Sequence, residues 1–226
     1  MFKTAATVID ATRAALANPE DTTQAFRIAE ALSFNNPERL LRRFRADPTG
    51  ARLLAERRDL LEILTDRERL EAMPADSLAA AYLAFLDSEG ISAEGLVEAS
   101  AVSSEATDGD VAFLRARMRD SHDLWHTVMG YQGDLLGESA LLAFTFAQTG
   151  HPGVGFLAGL GFVLAPERAI RRVITDGFKR GRRAGWLVAA DWAELLPMPI
   201  GEVRERLGVG APPVYEPVRE SRFAMA

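Results

Sequence analysis

Two of the chain's three histidines, His122 and His126, fall within one short stretch, Ser121 to Leu141, together with the carboxylates of Asp123 and Glu138. His122 and His126 are four residues apart, so on a helix both imidazoles project from the same face and reach one ion. Asp123 lies at the edge of that face, and Glu138 comes twelve residues after His126. Imidazole and carboxylate groups bind divalent ions, with zinc first and iron, manganese, cobalt or magnesium as alternatives. The spacing therefore predicts a metal site at these four residues.

A single straight helix cannot bring all four side chains to one ion. From His126 to Glu138 it would advance about 18 Å and carry the carboxylate to another side. Three glycines lie in this gap, and glycine is the residue at which a chain most readily leaves a helix. The sequence predicts a helix that ends near Met129, a turn over 130–133, and a second helix from about Leu135 that returns the carboxylate to the histidines.

Two other interpretations of the same residues stay open. Histidines at helical spacing also occur on ordinary hydrogen-bonded surfaces, and Asp beside His is a common ion pair. The segment 122–126, HDLWH, also has the spacing of the zinc-peptidase motif H-E-x-x-H, with Asp123 in place of the general base. Asp is one methylene shorter than Glu, which holds its carboxylate farther from a bound water. Peptide cleavage that a chelator abolishes would favour the peptidase.

The motif has a wider sequence context. H-D-x-x-H, eleven further residues and E occupy residues 122–138. This pattern resembles the signature of the Coq-four family of ubiquinone (coenzyme Q) biosynthesis proteins, and the similarity covers about residues 20–210. The blocks that carry it outside the motif are 47–60, 70–86, 117–150 and 184–209.

The resemblance implies a function. It implies that the same four residues hold a divalent metal, commonly taken as zinc, and are catalytic. The implied activity is a metal-dependent oxidative decarboxylation and hydroxylation at the C1 carboxyl of a polyprenylated benzoate-type precursor. It further implies a homodimer and other quinone-biosynthesis enzymes as partners. A non-catalytic, lipid-binding scaffold that organises those enzymes at the membrane is the alternative.

Composition and charge exclude several kinds of site and argue against several classes of protein. The chain has no cysteine, which excludes disulfides, thiolate ligands and cysteine nucleophiles. A net charge of -6 argues against nucleic acid as the main partner. Residues 1–21 lack the basic cluster and long apolar run of a secretory signal. Together with the resemblance, these features predict a cytoplasmic protein that associates peripherally with the bacterial inner membrane.

The elements that position the site are predicted to be helices. Leucines between Leu53 and Leu64 follow helical spacing, and no segment alternates apolar and polar residues as a half-buried strand does. We therefore expect one compact all-α domain over residues 1–210. Residues 211–226 hold three prolines and are predicted to be extended or disordered. One continuous helix over 109–126 is expected to carry the histidines.

An uncharged run follows the metal motif, from Ser139 to Ala165. A membrane span needs about 20 continuous helical residues, and the Gly-His-Pro-Gly sequence at 150–153 interrupts this run. The run is therefore predicted to form a pair of buried apolar helices. Gly155 and Gly159 have the spacing that lets helices approach closely, and His151, in the turn, is predicted to be structural.

A basic segment, 168–183, comes next and holds cations interleaved with apolar side chains. On an amphipathic helix this pattern is commonly a solvated face. The functional interpretation is a rim that contacts anionic lipid head groups or a phosphate while the apolar side faces a lipid. The residues predicted to bind substrate or lipid are Phe178, Arg180, Arg182, Arg183 and Trp186.

Overall fold

Residues 2–17, 22–34, 36–93 and 109–218 are described by a computed structural model of the chain, and within these ranges helices form without any β-strand. The predicted single all-α domain is confirmed. The α-helices are α1 Phe2–Ala17, α2 Thr22–Ala31, α3 Asn36–Ala46, α4 Pro48–Glu56, α5 Leu60–Thr65, α6 Arg67–Glu71, α7 Leu78–Glu89, α8 Asp110–Asp120, α9 His122–Met129, α10 Leu135–Thr149, α11 Pro152–Leu164, α12 Arg168–Arg183, α13 Trp192–Leu195 and α14 Ile200–Leu207.

Side-chain caps fix where the helices around the site begin. The carboxylate of Asp134 accepts hydrogen bonds from the N–H groups of Leu136 and Gly137 at the start of α10. His151 begins α11 in the same way, because its Nδ1 accepts from the Val154 N–H. Each cap satisfies donors that the first turn of a helix leaves unpaired. His151 therefore has the structural role that its position predicts.

Helices α10 and α12 pack closely, and two glycines allow it. A Cβ on Gly177 would lie 2.3 Å from the Ala140 carbonyl oxygen, and one on Gly181 would lie 2.6 Å from that of Phe144. Both distances are shorter than real Cβ contacts, so a larger residue at either position would push the helices apart. The close contact holds α12 against the helix that carries Glu138.

The predicted pair of buried apolar helices consists of α10 and α11, and the prediction of burial is wrong for α11. Only Gly153 and Ala158 of α11 are buried, because an uncharged composition does not show which side of a helix the rest of the fold covers. Gly155 faces α10, since a Cβ there would lie 2.7 Å from the ring of Phe146. Gly159 is exposed and would meet no atom within 4 Å. Of these two glycines, only Gly155 therefore allows a close approach between helices of the described chain. Among the described residues, no helix is both long and apolar enough to cross a membrane.

The helix predicted over 109–126 is in fact two helices, so that prediction is wrong. Helix α8 ends at Asp120 and α9 begins at His122. Ser121 separates them, and its Oγ donates to the Met118 carbonyl, which competes with regular helical hydrogen bonding. Because of this break, His122 is the first residue of a separate helix, α9.

The predicted C-terminal tail is described only in part. Residues 211–218 form no helix, and Val218 is buried. Residues 219–226 lie outside the described part of the chain. The boundary at residue 210 stays a prediction.

Candidate metal centre

Three of the four predicted ligands converge. His122 and His126 lie on α9, and their Nε2 atoms are 3.2 Å apart. Glu138, in the first turn of α10, places Oε1 3.1 Å from His126 Nε2 and Oε2 3.7 Å from His122 Nε2. Ligands bound at about 2.0–2.2 Å around one tetrahedral ion lie roughly 3.4 Å from each other. The donor set and its spacing therefore fit a single divalent ion.

The predicted glycine turn makes this convergence geometrically feasible. Helix α9 ends at Met129 and α10 begins at Leu135, which confirms both predicted bounds. Gly130 ends α9 with φ +73°, and its N–H donates to the His126 carbonyl at 2.8 Å. This left-handed conformation favours glycine. A Cβ there would also lie 2.5 Å from the Cβ of Pro212.

The tautomer of His126 follows from its surroundings. Its Nδ1 lies 3.2 Å from the Tyr131 carbonyl oxygen, which can only accept, so Nδ1 carries the proton. In the neutral ring, Nε2 then points a lone pair toward His122 and Glu138. Phe85 stacks on the ring with centroids 5.2 Å apart and holds its plane. His126 Nε2 and Glu138 Oε1, 3.1 Å apart, would then both be acceptors, so the contact requires either a proton or a metal ion between them.

The electrostatics agree with this requirement. Burial opposes the charged forms, but the charges and hydrogen bonds of His126 and His122 outweigh it and hold the pKa of Glu138 well below its usual range. Burial likewise opposes the imidazolium of His122, and the hydrogen bond and charge of Glu138 raise its pKa above the usual value. Binding of a divalent ion would therefore displace protons from this group.

Asp123 lies beside the group of three and outside it. The residue is buried, with 8% of its surface exposed. Burial raises the pKa of its carboxyl group, and the nearby charges of His122 and His126 oppose that rise. Within the described ranges, no hydrogen bond reaches its carboxylate. A role as a direct ligand or as a group that orients an imidazole stays a prediction.

Two arginines hold the end of α9. Arg204 donates to the carbonyls of Val128 and Thr127 at 3.0 and 3.1 Å. Arg180 donates through Nη1 and Nη2 to the Met129 carbonyl, both at 3.1 Å. These carbonyls have no partner within the helix, and cations at a helix C-terminus are favourable. Sequence spacing did not predict Arg204, because it comes from a distant helix.

The residues predicted to contact lipid have different surroundings. The guanidinium of Arg180 is engaged with backbone, as described above, whereas Arg182 and Arg183 are exposed. Trp186 is half-buried under the Arg43 guanidinium, 4.0 Å from the ring centre. Arg43, Arg182 and Trp186 line one groove of about 240 Å³. Phe178 is 37% exposed.

An apolar cavity of about 350 Å³ adjoins the metal centre. Its lining includes His126, Phe85 and Tyr131 but neither His122 nor Glu138. The cavity therefore borders His126 on the side that faces Phe85 and Tyr131, whereas His122 and Glu138 lie at Nε2 of the same ring. Small and aliphatic side chains complete much of its wall: Ala81, Ala84 and Ile200.

Sequence comparisons place this all-helical chain in a family. The model of the family described as Coenzyme Q (ubiquinone) biosynthesis protein Coq4 matches residues 1–213. The chain belongs to this family. It is 32% identical over 180 residues to the mitochondrial ubiquinone biosynthesis protein coq4 of Pyrenophora tritici-repentis, covering 77% of this chain and 60% of that protein.

Other relatives agree. The mitochondrial COQ4 protein of Pyricularia oryzae is 31% identical over 205 residues, which cover 88% of this chain and 66% of that protein. The chain thus spans less than two thirds of the length of these relatives. A crystal structure from Nostoc punctiforme matches with a TM-score of 0.68 and 24% identity, over 91% of this chain and 98% of that one. That match supports the fold.

Replacing His126 with Ala should abolish metal binding, because it removes the central donor of the group. We expect elemental analysis of the purified wild type to give about one divalent ion per chain and the variant to give none. His151→Ala is the matched control, since it removes the remaining histidine and only a helix cap. Equal metal content in all three proteins would contradict the site.

Proposed function

We propose that the chain acts in ubiquinone biosynthesis as a metal-dependent enzyme on the C1 carboxyl group of a polyprenylated benzoate-type precursor. The observation that carries the proposal is the convergence of His122, His126 and Glu138 in a member of this family. Zinc is the proposed ion, with iron, manganese, cobalt or magnesium as alternatives, because two nitrogens and one oxygen at near-tetrahedral spacing suit it best.

The proposed reaction exchanges a carboxyl group for a hydroxyl group. The bond between C1 and the carboxyl carbon breaks, and CO2 leaves. Addition of the hydroxyl removes two electrons from the substrate, and the proposed oxidant is dioxygen. A redox-active ion such as iron or manganese could engage dioxygen directly, whereas zinc has no redox chemistry and would need a separate redox partner to deliver the oxidant. One oxygen atom of dioxygen enters the ring, and the other leaves as water after taking two electrons and two protons from a reductant.

The chain's own residues would hold and orient the reactants. Tyr131 and Phe85 fix the ring of His126, so that its Nε2 stays aimed at the centre. Glu138 and His122 are partly exposed, with 40% and 29% of their side chains accessible, which leaves a side of the group open to a substrate carboxylate. When bound, a divalent ion supplies positive charge that stabilises the negative charge of such a carboxylate and of the reacting ring.

The apolar cavity beside His126 is the proposed place for the apolar part of the substrate. Its aliphatic and aromatic wall suits an isoprenoid, and pockets for such ligands are mostly apolar with few polar groups. Asp123 is proposed to complete the ligand set or to orient an imidazole. The family match favours this function over the peptidase interpretation of residues 122–126.

Contact with a membrane surface is the second part of the proposal. Phe156, Phe162 and Val163 on α11 are exposed, and Val163 reaches 70%. The Arg171 guanidinium on α12 lies 5.7 Å from the Phe162 ring centre, so the apolar side of α11 borders the basic helix. An exposed apolar face with a cationic border suits an anionic lipid surface.

A non-catalytic scaffold is the alternative function. The homodimer and the enzyme partners that the family resemblance implies stay predictions. The exposed apolar face of α11 would suit such partners as well as lipid. The inner-membrane location also stays a prediction, since the relatives described above are mitochondrial proteins.

Glu138→Ala should separate the enzyme from the scaffold. In a strain that lacks the protein, we expect a prenylated precursor that still bears its carboxyl group to accumulate. Wild type should restore quinone, whereas Glu138→Ala should not, although it still co-purifies with its partner enzymes. Lipid extraction with mass spectrometry measures both compounds. A variant that restores quinone fully would contradict the enzyme, and one that loses its partners would favour a scaffold with a structural metal.

Reversing charge at Arg182 and Arg183 should weaken binding to vesicles that contain phosphatidylglycerol. Each arginine near an anionic surface contributes about 1 kcal/mol, so replacing both with Glu should reduce the binding by more than about tenfold. Arg180 is left intact because it holds backbone carbonyls. The control carries the same charge change at exposed Arg42 and Arg69. Equal loss in both double variants would indicate net charge rather than a lipid-binding face.

A further inference from the structure

The C-terminal segment, residues 209–218, crosses the turn that joins the two ligand helices. It contains no helix. Arg180 ties it to α9, because the same guanidinium that holds the Met129 carbonyl also donates to the carbonyls of Val209 and Ala211, at 3.2 and 3.1 Å. One side chain therefore connects the end of α9 to the C-terminal segment.

Tyr215 fastens the segment to the turn itself. Its hydroxyl accepts from the Gln132 N–H at 2.8 Å and donates to Asp134 Oδ2 at 2.9 Å. Val218 adds two bonds, since its N–H donates to Asp134 Oδ1 at 2.8 Å and its carbonyl accepts from the Leu135 N–H at 3.1 Å. Polar groups that the chain reversal takes out of helical pairing are thereby satisfied from the C-terminal segment.

Asp134 connects this contact to the metal ligand on α10. The residue is 3% exposed, and its carboxylate also accepts from the N–H groups of Leu136 and Gly137. Its backbone carbonyl accepts from the Glu138 N–H at 2.8 Å. The residue that receives the Tyr215 hydroxyl therefore also sets the first turn of the helix that carries Glu138.

We propose that Tyr215 and Asp134 are positioning residues of the metal centre, through which the C-terminal segment fixes the separation of Glu138 and His126. This inference rests on the proposed metal site. The link acts on both helices, because the same turn carries the Tyr131 carbonyl that accepts from His126 Nδ1. Groups that orient metal ligands through hydrogen bonds typically change metal affinity by about 10–100-fold.

Tyr215→Phe tests the proposal with a minimal change of shape. It removes the hydroxyl that joins Gln132 to Asp134 and leaves the two hydrogen bonds of Val218 in place, so it tests the Tyr215 contact alone. We expect the Kd for Zn²⁺, measured by competition with a chromophoric chelator, to rise about tenfold or more. Asp134→Asn should weaken binding in the same direction. Val214→Ala is the control on the same segment. The Val214 side chain is fully exposed, so the Kd of this variant for Zn²⁺ should equal that of wild type.

A second readout needs no metal ion. Long-range proton–nitrogen NMR of the neutral His126 ring should show the proton on Nδ1 in wild type and a mixture of tautomers in Tyr215→Phe. A lower melting temperature with unchanged Zn²⁺ affinity and tautomer would overturn the inference and leave the metal site intact. Failure of wild type to bind Zn²⁺ would instead contradict the proposed site, so the two failures are distinguishable.

Discussion

The candidate metal centre depends on a short reversal of the chain between Met129 and Leu135. Two histidines and a carboxylate can meet only if the second helix returns beside the first, and a turn this short leaves carbonyl and N–H groups without helical partners. Backbone groups without partners are costly when buried. In this protein they are satisfied by Arg180, Arg204 and Tyr215, which come from other parts of the sequence.

The same constraint explains the closeness of the surrounding packing. Helix α12 brings Arg180 to the turn because Gly177 and Gly181 let it lie directly on the backbone of α10. The centre is thus supported from both sides, by α12 and by the C-terminal segment, while Phe85 covers the ring of His126. Ligands held this rigidly lose little conformational freedom when an ion binds, which favours affinity. The partly exposed edge at Glu138 is the approach proposed for a substrate.

Local signals in the sequence were sufficient to predict that His122, His126 and Glu138 meet, and to predict the turn between them. Histidines at helical spacing and the glycines after them predicted both helix bounds, and no strand pattern competed. The break at Ser121 was missed because helical periodicity continues through it, and only a side-chain hydrogen bond to Met118 marks it. The roles of Arg204 and Tyr215 could not be predicted, since they depend on contacts across more than seventy residues that no local spacing encodes.

The measurement that tests the central claim most directly is X-ray absorption spectroscopy at the metal edge of the purified, metal-loaded protein. The account predicts two imidazole ligands at about 2.0–2.1 Å together with oxygen ligands, and the loss of one imidazole in His122→Ala. A first shell of oxygen alone, or a spectrum that His122→Ala leaves unchanged, would contradict the claim that the two helices hold one ion between them.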